Sequence, residues 1–477
     1  MNVLVVNTNR HKTPMAVLPF GACIAAEAAE RAGHSVRLLD MTFSKDPLRA
    51  LEHELTRSTP DVVGLSVRNI DSGEMHDPVI FVHDVAPMAD LIRKRTPAAP
   101  IVLGGAGVGL MPEELLRATG AEWAVLSDAE AVFPKLLAAF TNGGDPTSVP
   151  RVAWLKDEAF GQNAGNGHFP LDECVVPDFG RWLRLKSYRH QMCTVPVQTK
   201  RGCPHKCVYC TYQRADGPGH RLAPPASVVE AVRRLAKAGL RDIEFVDSVF
   251  NSPYEHAMEI CERLAAARLG VRLITLELNP RFVDDALLAA MERAGFVAIA
   301  VTAESASDPV LAGLGKGYTA EEVVRAAEAV RRHRLPCMWV FLFGGPGETE
   351  QTVAETLRFA DEHIRRSDAA YINTGIRIYP GTELERIARA QGVLSVPPDA
   401  MLSPVFYVSP EVDPRWVAER VREAVASHAN YLGPASISVP FLPMLYRIGY
   451  ALGIRPPLWR YTRLIRRLLR LVGKDPC

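Results

Sequence analysis

The 477-residue sequence predicts an α/β protein of two units: a doubly wound (Rossmann-like) N-terminal sheet, then a partial (β/α)6 TIM-like barrel, closed by a mainly helical C-terminal segment. Three observations lead there. Short apolar runs alternate with amphipathic stretches at helical spacing, the alternation restarts after a Gly-rich connector, and the second set of runs carries polar residues at the strand ends. Composition agrees, since 48% hydrophobic and 23% charged residues is the balance of an ordinary globular protein and not of a disordered or fibrous one. The 55 Lys and Arg against 54 Asp and Glu leave a formal charge of +1, which gives no global electrostatic case for nucleic acid.

Residues 1–140 form the first unit. Val3–Asn7, Val36–Asp40, Val62–Ser66, Ile101–Gly105 and Trp123–Ser127 read as strands, because each is a mostly apolar run suited to a parallel sheet buried on both faces. Gly21–Ala32 and Pro78–Arg95 read as helices between them. Ligands of a doubly wound sheet collect where the strands end. Those ends hold Asn7, Arg68–Asp71, Gly104–Gly107 and Ser127–Glu130. Gly104, Gly105, Gly107 and Gly109 run GGxGxG after the fourth strand, not GxGxxG after the first, so dinucleotide binding is not expected.

Residues 141–195 read as a connector, with TNGGDP and FGQNAGNG as turn-rich pieces. The second unit, 196–390, has candidate strands Pro196–Thr199, Asp242–Asp247, Arg272–Asn279, Val297–Glu304, Cys337–Phe343 and Tyr371–Ile378, separated by five helical stretches. Period two sets Thr275, Glu277 and Asn279 opposite Ile274, Leu276 and Leu278, and it puts Thr302 and Glu304 on one face. A barrel interior lined for a polar ligand follows.

The sharpest signal is RGCPHKCVYC, Arg201–Cys210. Cys203, Cys207 and Cys210 form CxxxCxxC directly after the first barrel strand. Three thiolates on one loop can bind three irons of a 4Fe–4S cluster and leave the fourth iron open for chemistry. Structural zinc is the competing reading, with His205 as a fourth ligand, although the paired CxxC spacing is absent. Nine cysteines in a chain that opens directly on a strand, MNVLVVN, favour metal or redox use over disulfides. A cytoplasmic location is expected, with neither a signal leader nor a spanning helix.

With this triad and Tyr209 before its last cysteine, the chain resembles the radical S-adenosylmethionine (SAM) superfamily. Phe245–Asn251 (FVDSVFN), Glu304–Ser307 (ESAS), Phe343–Glu348 (FGGPGE) and Arg377–Thr382 (RIYPGT) occupy the places of the superfamily's later motifs. Two departures stand out: FVDSVFN replaces the common GGE, and Ala306 sits where a glycine is usual. VVGLSVRNID (Val62–Asp71) and IVLGGAGVGLMPEE (Ile101–Glu114) resemble the cobalamin-binding domain fused ahead of many such enzymes. The resemblance implies a cluster held by Cys203, Cys207 and Cys210. It implies SAM contacts from Tyr209, Asp247, Ser248, Glu304, Ser305, Arg377 and Tyr379, with Glu277 and Asn279 facing SAM or substrate. For cobalamin it implies Asn7, Arg68, Asn69, Asp71, Gly104, Gly105, Ser127 and Glu130. No DxHxxG is present, and His11, His76 and His83 are not expected to bind cobalt. Ser127–Glu130 reads SDAE where glycines are usual.

The activity so implied is cobalamin-dependent C-methylation through SAM cleavage at the cluster. Non-methylating oxidation, cyclisation or ring rearrangement is the alternative. A methylthiotransferase would need more first-domain cysteines than Cys23. The implied partners are a small-molecule, lipid, tetrapyrrole or peptide substrate and a low-potential electron donor such as flavodoxin or ferredoxin. Residues 391–477 match no motif. Pro414–Asn430 reads as an amphipathic helix. The tail RPPLWRYTRLIRRLLRLVGK from Arg455 reads as one that packs on the barrel or lies peripherally on an anionic membrane.

Overall fold

A computed structural model describes residues 1–13, 15–437 and 441–471. The first unit is a seven-stranded sheet. Strands β1 (Asn2–Asn7), β2 (Ser35–Asp40), β3 (Val62–Ser66), β4 (Ile101–Gly104) and β5 (Trp123–Val125) pair in parallel in the order β2-β1-β3-β4-β5. Val3, Leu4, Val5 and Val6 are all at most 2% exposed, because helices cover both faces. The segment read as connector begins with a hairpin, β6 (Val152–Lys156) and β7 (Ala159–Gln162), that extends this sheet antiparallel from β5. The Pro78–Arg95 stretch divides into a 3₁₀ turn, Phe81–Asp84, and a helix, Ala86–Arg95.

The second unit is an open barrel. After β8 (Val195–Val197) comes a short ribbon of β9 (Lys200–Arg201) and β10 (Arg221–Leu222), paired antiparallel. Strands β11 (Asp242–Phe245), β12 (Arg272–Leu278), β13 (Phe296–Glu304), β14 (Cys337–Phe343) and β15 (Ala369–Thr374) follow. The expected sixth strand breaks at Gly375, and β16 (Ile376–Arg377) turns away to pair with β17 (Phe406–Tyr407). Its place at the edge goes to β18 (Tyr431–Leu432) from the C-terminal segment, giving seven parallel strands in the order β18-β15-β14-β13-β12-β11-β8.

One apolar cluster runs from Leu4 and Leu65 through Leu115 to Ile378, Leu384, Met401 and Tyr407, so the chain beyond the barrel shares a core with the first sheet. That shared core sets the two units against each other with their strand ends in contact. No described helix is long and apolar enough to cross a membrane.

Candidate active site

The loop carrying Cys203, Cys207 and Cys210 leaves β9 at Gly202, whose φ of +82° and crowding by the Gly219 carbonyl exclude a side chain. The Gly202 carbonyl accepts from Ser248 Oγ at 3.0 Å and lies 3.1 Å from His220 Nδ1. Backbone bonds tie the loop further: Cys203 N to Gly217 O at 3.2 Å and Val208 N to Leu314 O at 3.0 Å. Burial raises the Cys203 thiol and pushes Cys210 up to about 12, so metal must displace protons to bind. Among the described residues no three His, Cys, Asp or Glu converge on one metal ion. Three thiols spread over one rigid loop suit a cluster that takes a different iron at each.

Beside the loop stands a buried polar triad. Tyr209 OH donates to Glu304 Oε1 at 2.7 Å, and Lys316 Nζ reaches both, at 3.2 and 3.4 Å. Glu304 holds φ +61°, a left-handed conformation in a non-glycine residue, at the point where the register of β13 on β14 slips. Such backbone costs about 1–3 kcal/mol and persists where its surroundings require the side chain in one place. Burial opposes the Lys316 charge, but Tyr209, Tyr318 and Glu304 outweigh it and hold the ammonium protonated. Sequence reasoning missed Lys316, which lies in a turn between Gly315 (φ +66°) and Gly317 (φ +73°). A lone lysine between two glycines just after ESAS was the available signal.

The structure relocates several expected SAM contacts. Asp247 is buried and its carboxylate accepts from Thr199 N, Thr199 Oγ1 and Lys200 N at 2.6–3.2 Å, so it fastens the start of the thiol loop. Ser305 is fully buried against Thr356 Oγ1 at 3.0 Å. Asn279 caps the 3₁₀ turn Pro280–Phe282 through Arg281 N. Arg377 bonds Asp71 at 2.8 Å and the carbonyls of Ile378 and Met401. Tyr379 stacks on that guanidinium, 4.8 Å from its centroid.

Expected cobalamin contacts divide in the same way. Asp71 is thus one half of a buried interdomain ion pair, with side chains 0% and 5% exposed. Asn7 donates to Asp40 and Thr42, and its oxygen accepts from Asn9 N. Glu130 pairs with Arg201 at 2.7 Å, and Asp128 with Arg221 at 2.7 Å and Arg201 at 3.2 Å, arginines that the β9–β10 ribbon sets side by side. Each of these carboxylates is occupied by protein because sheet-end charges buried between domains need partners. Gly105 (φ +107°) has the Val67 carbonyl where a Cβ would go, a close loop-to-loop approach.

Other groups keep their polar atoms free. Arg68 and Asn69 are exposed at the end of β3, and no described residue bonds the Arg68 guanidinium. Protein around its solvent-open guanidinium partly desolvates Arg68 and lowers its pKa, while Tyr212 and Glu244 of the barrel oppose that shift across the domain boundary. Although its backbone carbonyl accepts from Phe250 N at 2.8 Å, the Glu277 carboxylate has no hydrogen-bond partner among the described residues. Burial, then the nearby Glu304, raise it to about 8. Ser127 Oγ is buried without a partner, and a Cβ on Gly104 would meet open space. An orphaned hydroxyl, an open glycine and an unpaired arginine at adjoining strand ends fit a polar group such as the corrinoid that this domain type binds. His11 lies against Asp84 and Phe81, and burial lowers its pKa.

Residues 197–360 match the radical SAM superfamily, and residues 7–137 match the B12 binding domain. The chain thus carries a B12-binding domain followed by a radical SAM domain. Among the relatives of this chain, an uncharacterised methyltransferase of Pyrococcus horikoshii is 26% identical over 386 residues, 79% of each chain. The tryptophan 2-C-methyltransferase of Streptomyces laurentii is 24% identical, covering 79% of this chain and 73% of its own. The radical SAM methyltransferase TsrM of Kitasatospora setae, solved with cobalamin and a [4Fe–4S] cluster, superposes with a TM-score of 0.85 over 99% of both chains at 23% identity. Its complex with tryptophan and a SAM analogue gives 0.86 over the full length of both. The expected two-unit α/β architecture is therefore present throughout, and the cofactors that the resemblance implied are those of this domain pair.

Proposed function

We infer that this chain is a cobalamin-dependent radical SAM methyltransferase acting at carbon on a small molecule. The observation that carries the reading is the position of the thiol loop, with its Tyr209–Glu304–Lys316 triad, facing the unpaired strand-end groups of the B12-binding unit. Relatives named as methyltransferases match over 79% of the chain, which favours methyl transfer over the non-methylating alternative. When bound, the cluster, SAM and cobalamin supply one-electron cleavage of SAM and a transferable methyl group.

The chain's residues position and enclose. Cys203, Cys207 and Cys210 hold three irons. Lys316 offers a fixed ammonium to the SAM carboxylate, and Glu304 and Tyr209 offer acceptors to its amino and hydroxyl groups. Glu277 stays protonated at neutral pH before cofactor loading and presents a neutral donor to the chamber. Arg68, Asn69, Ser127 and the open backbone at Gly104 face the corrinoid side. The buried Asp71–Arg377 and Glu130–Arg201 pairs keep the two halves in register, so that the reacting centres approach without water between them. Further partners are a low-potential electron donor such as flavodoxin or ferredoxin and, at the C-terminal tail, a membrane surface.

Anaerobic reconstitution with iron, sulfide, cobalamin, reductant and SAM tests the reading. Formation of both S-adenosylhomocysteine and 5′-deoxyadenosine is expected. Deoxyadenosine alone, with cobalamin retained, would point to non-methylating chemistry.

A further inference from the structure

The last 37 residues have a composition unlike the rest. Residues 441–477 hold eight of the 55 Lys and Arg but only one of the 54 Asp and Glu, which leaves residues 1–440 net acidic. Five of the eight lie on two helices, Leu442–Ala451 and Thr462–Leu471. Their inner side packs on protein: Tyr446 and Leu458 join Met192, with Met15, Ile454 and Ile465 around them. Arg466 is 3% exposed and donates to the His428 carbonyl at 2.9 Å. This is the packing role expected of the tail.

The outer side is different. Met444 (55% exposed), Ile448 (48%) and Leu452 (74%) recur every four residues along one helix face and its C-terminal cap, and Leu464 (58%) is exposed on the next helix. Four of the nine exposed large apolar side chains of the described chain thus lie in this short segment. Among the described residues none pairs with Arg447, Arg463 or Arg467, which flank these apolar positions in sequence. An outward apolar stripe bordered by unpaired arginines, with hardly any acid nearby, is complementary to an anionic lipid surface. An acidic protein groove would match the charge, but nothing here supplies the matching concavity.

We propose that the C-terminal helices dock this enzyme peripherally on anionic phospholipid, with Met444, Ile448 and Leu452 entering the headgroup boundary and Arg447, Arg463 and Arg467 meeting phosphates. The proposal stands independently of the methyltransferase reading.

Co-sedimentation of the full chain with phosphatidylglycerol vesicles and with phosphatidylcholine vesicles tests it. Binding is expected to the anionic vesicles alone, and high salt should weaken it. Ile448→Glu with Leu452→Glu, both at exposed positions, should unfold at the wild-type temperature yet bind more than about tenfold more weakly. Arg463→Glu with Arg467→Glu should lose at least as much, at about 1 kcal/mol per surface charge. No binding of the intact chain to anionic vesicles would overturn the proposal. So would equal binding by the variants. A wild-type dimer in light scattering that the Ile448→Glu/Leu452→Glu pair converts to monomer would assign the stripe to a second copy instead.

Discussion

Two sets of polar residues meet at the strand ends, and they differ in one respect. Asp71, Arg377, Asp128, Glu130, Arg201 and Arg221 are buried between the units with every charge paired. The side chains of Arg68, Glu277 and Ser127, in the same layer, have no hydrogen-bond partner among the described residues, and Glu304, paired with Lys316, sits on strained backbone. Paired groups hold the architecture. Unpaired or strained ones are free to meet a ligand. The distinction matters because motif position alone gave Asp71, Glu130 and Arg377 to cofactors together with Arg68, Glu277 and Ser127.

The largest expected effect breaks the paired set. Arg377→Met leaves Asp71 buried and charged, and it should cost about 3–5 kcal/mol in denaturant unfolding. Adding Asp71→Leu should recover most of that loss, a recovery a direct cofactor contact would not give. Next comes the strained triad. Lys316→Ala should raise the KM for SAM by about ten- to a hundredfold, the worth of a charge-assisted hydrogen bond, while Lys316→Arg, which keeps a partner for buried Glu304, keeps most of the affinity.

The smallest effect is a pH slope. Glu277 titrates near 8 in the cofactor-free fold against an ordinary 4.5, so its contribution to stability is complete below about pH 4.5 and is lost as pH rises towards 8. Thermal unfolding of cofactor-free protein should therefore show Glu277→Gln gaining on the wild type between pH 5 and pH 8. Glu348, raised by burial to about 7, and Asp216, raised by burial to about 6, tilt both proteins alike, so the difference isolates Glu277. A constant difference across that range would remove Glu277 from the chamber.

Much of this was legible in the sequence. Buried parallel strands announce themselves as apolar runs, and three cysteines on one loop need no tertiary information. Partner choice was not legible: Asp71 and Arg377 lie 306 residues apart, and nothing local shows that they meet. The hairpin β6–β7 escaped because its turn uses Asp157 (φ +49°) and Glu158 (φ +64°) without the Asn-Gly or Asp-Gly pair that marks such turns. Tyr431–Leu432 is too short for any alternation to register. The protein partners of Asp247 and Ser305 were not legible either, because a motif gives the strand end and not the side to which a side chain turns.

The most direct test follows a labelled methyl group. Reconstituted protein carrying cluster and cobalamin is mixed anaerobically with SAM bearing a trideuterated methyl group, and the bound corrinoid and the nucleoside products are analysed by mass. The account predicts labelled methyl on the corrinoid with matching S-adenosylhomocysteine, and 5′-deoxyadenosine that disappears in Cys207→Ser. Unlabelled corrinoid and no S-adenosylhomocysteine, in protein shown to hold both cofactors, would contradict it.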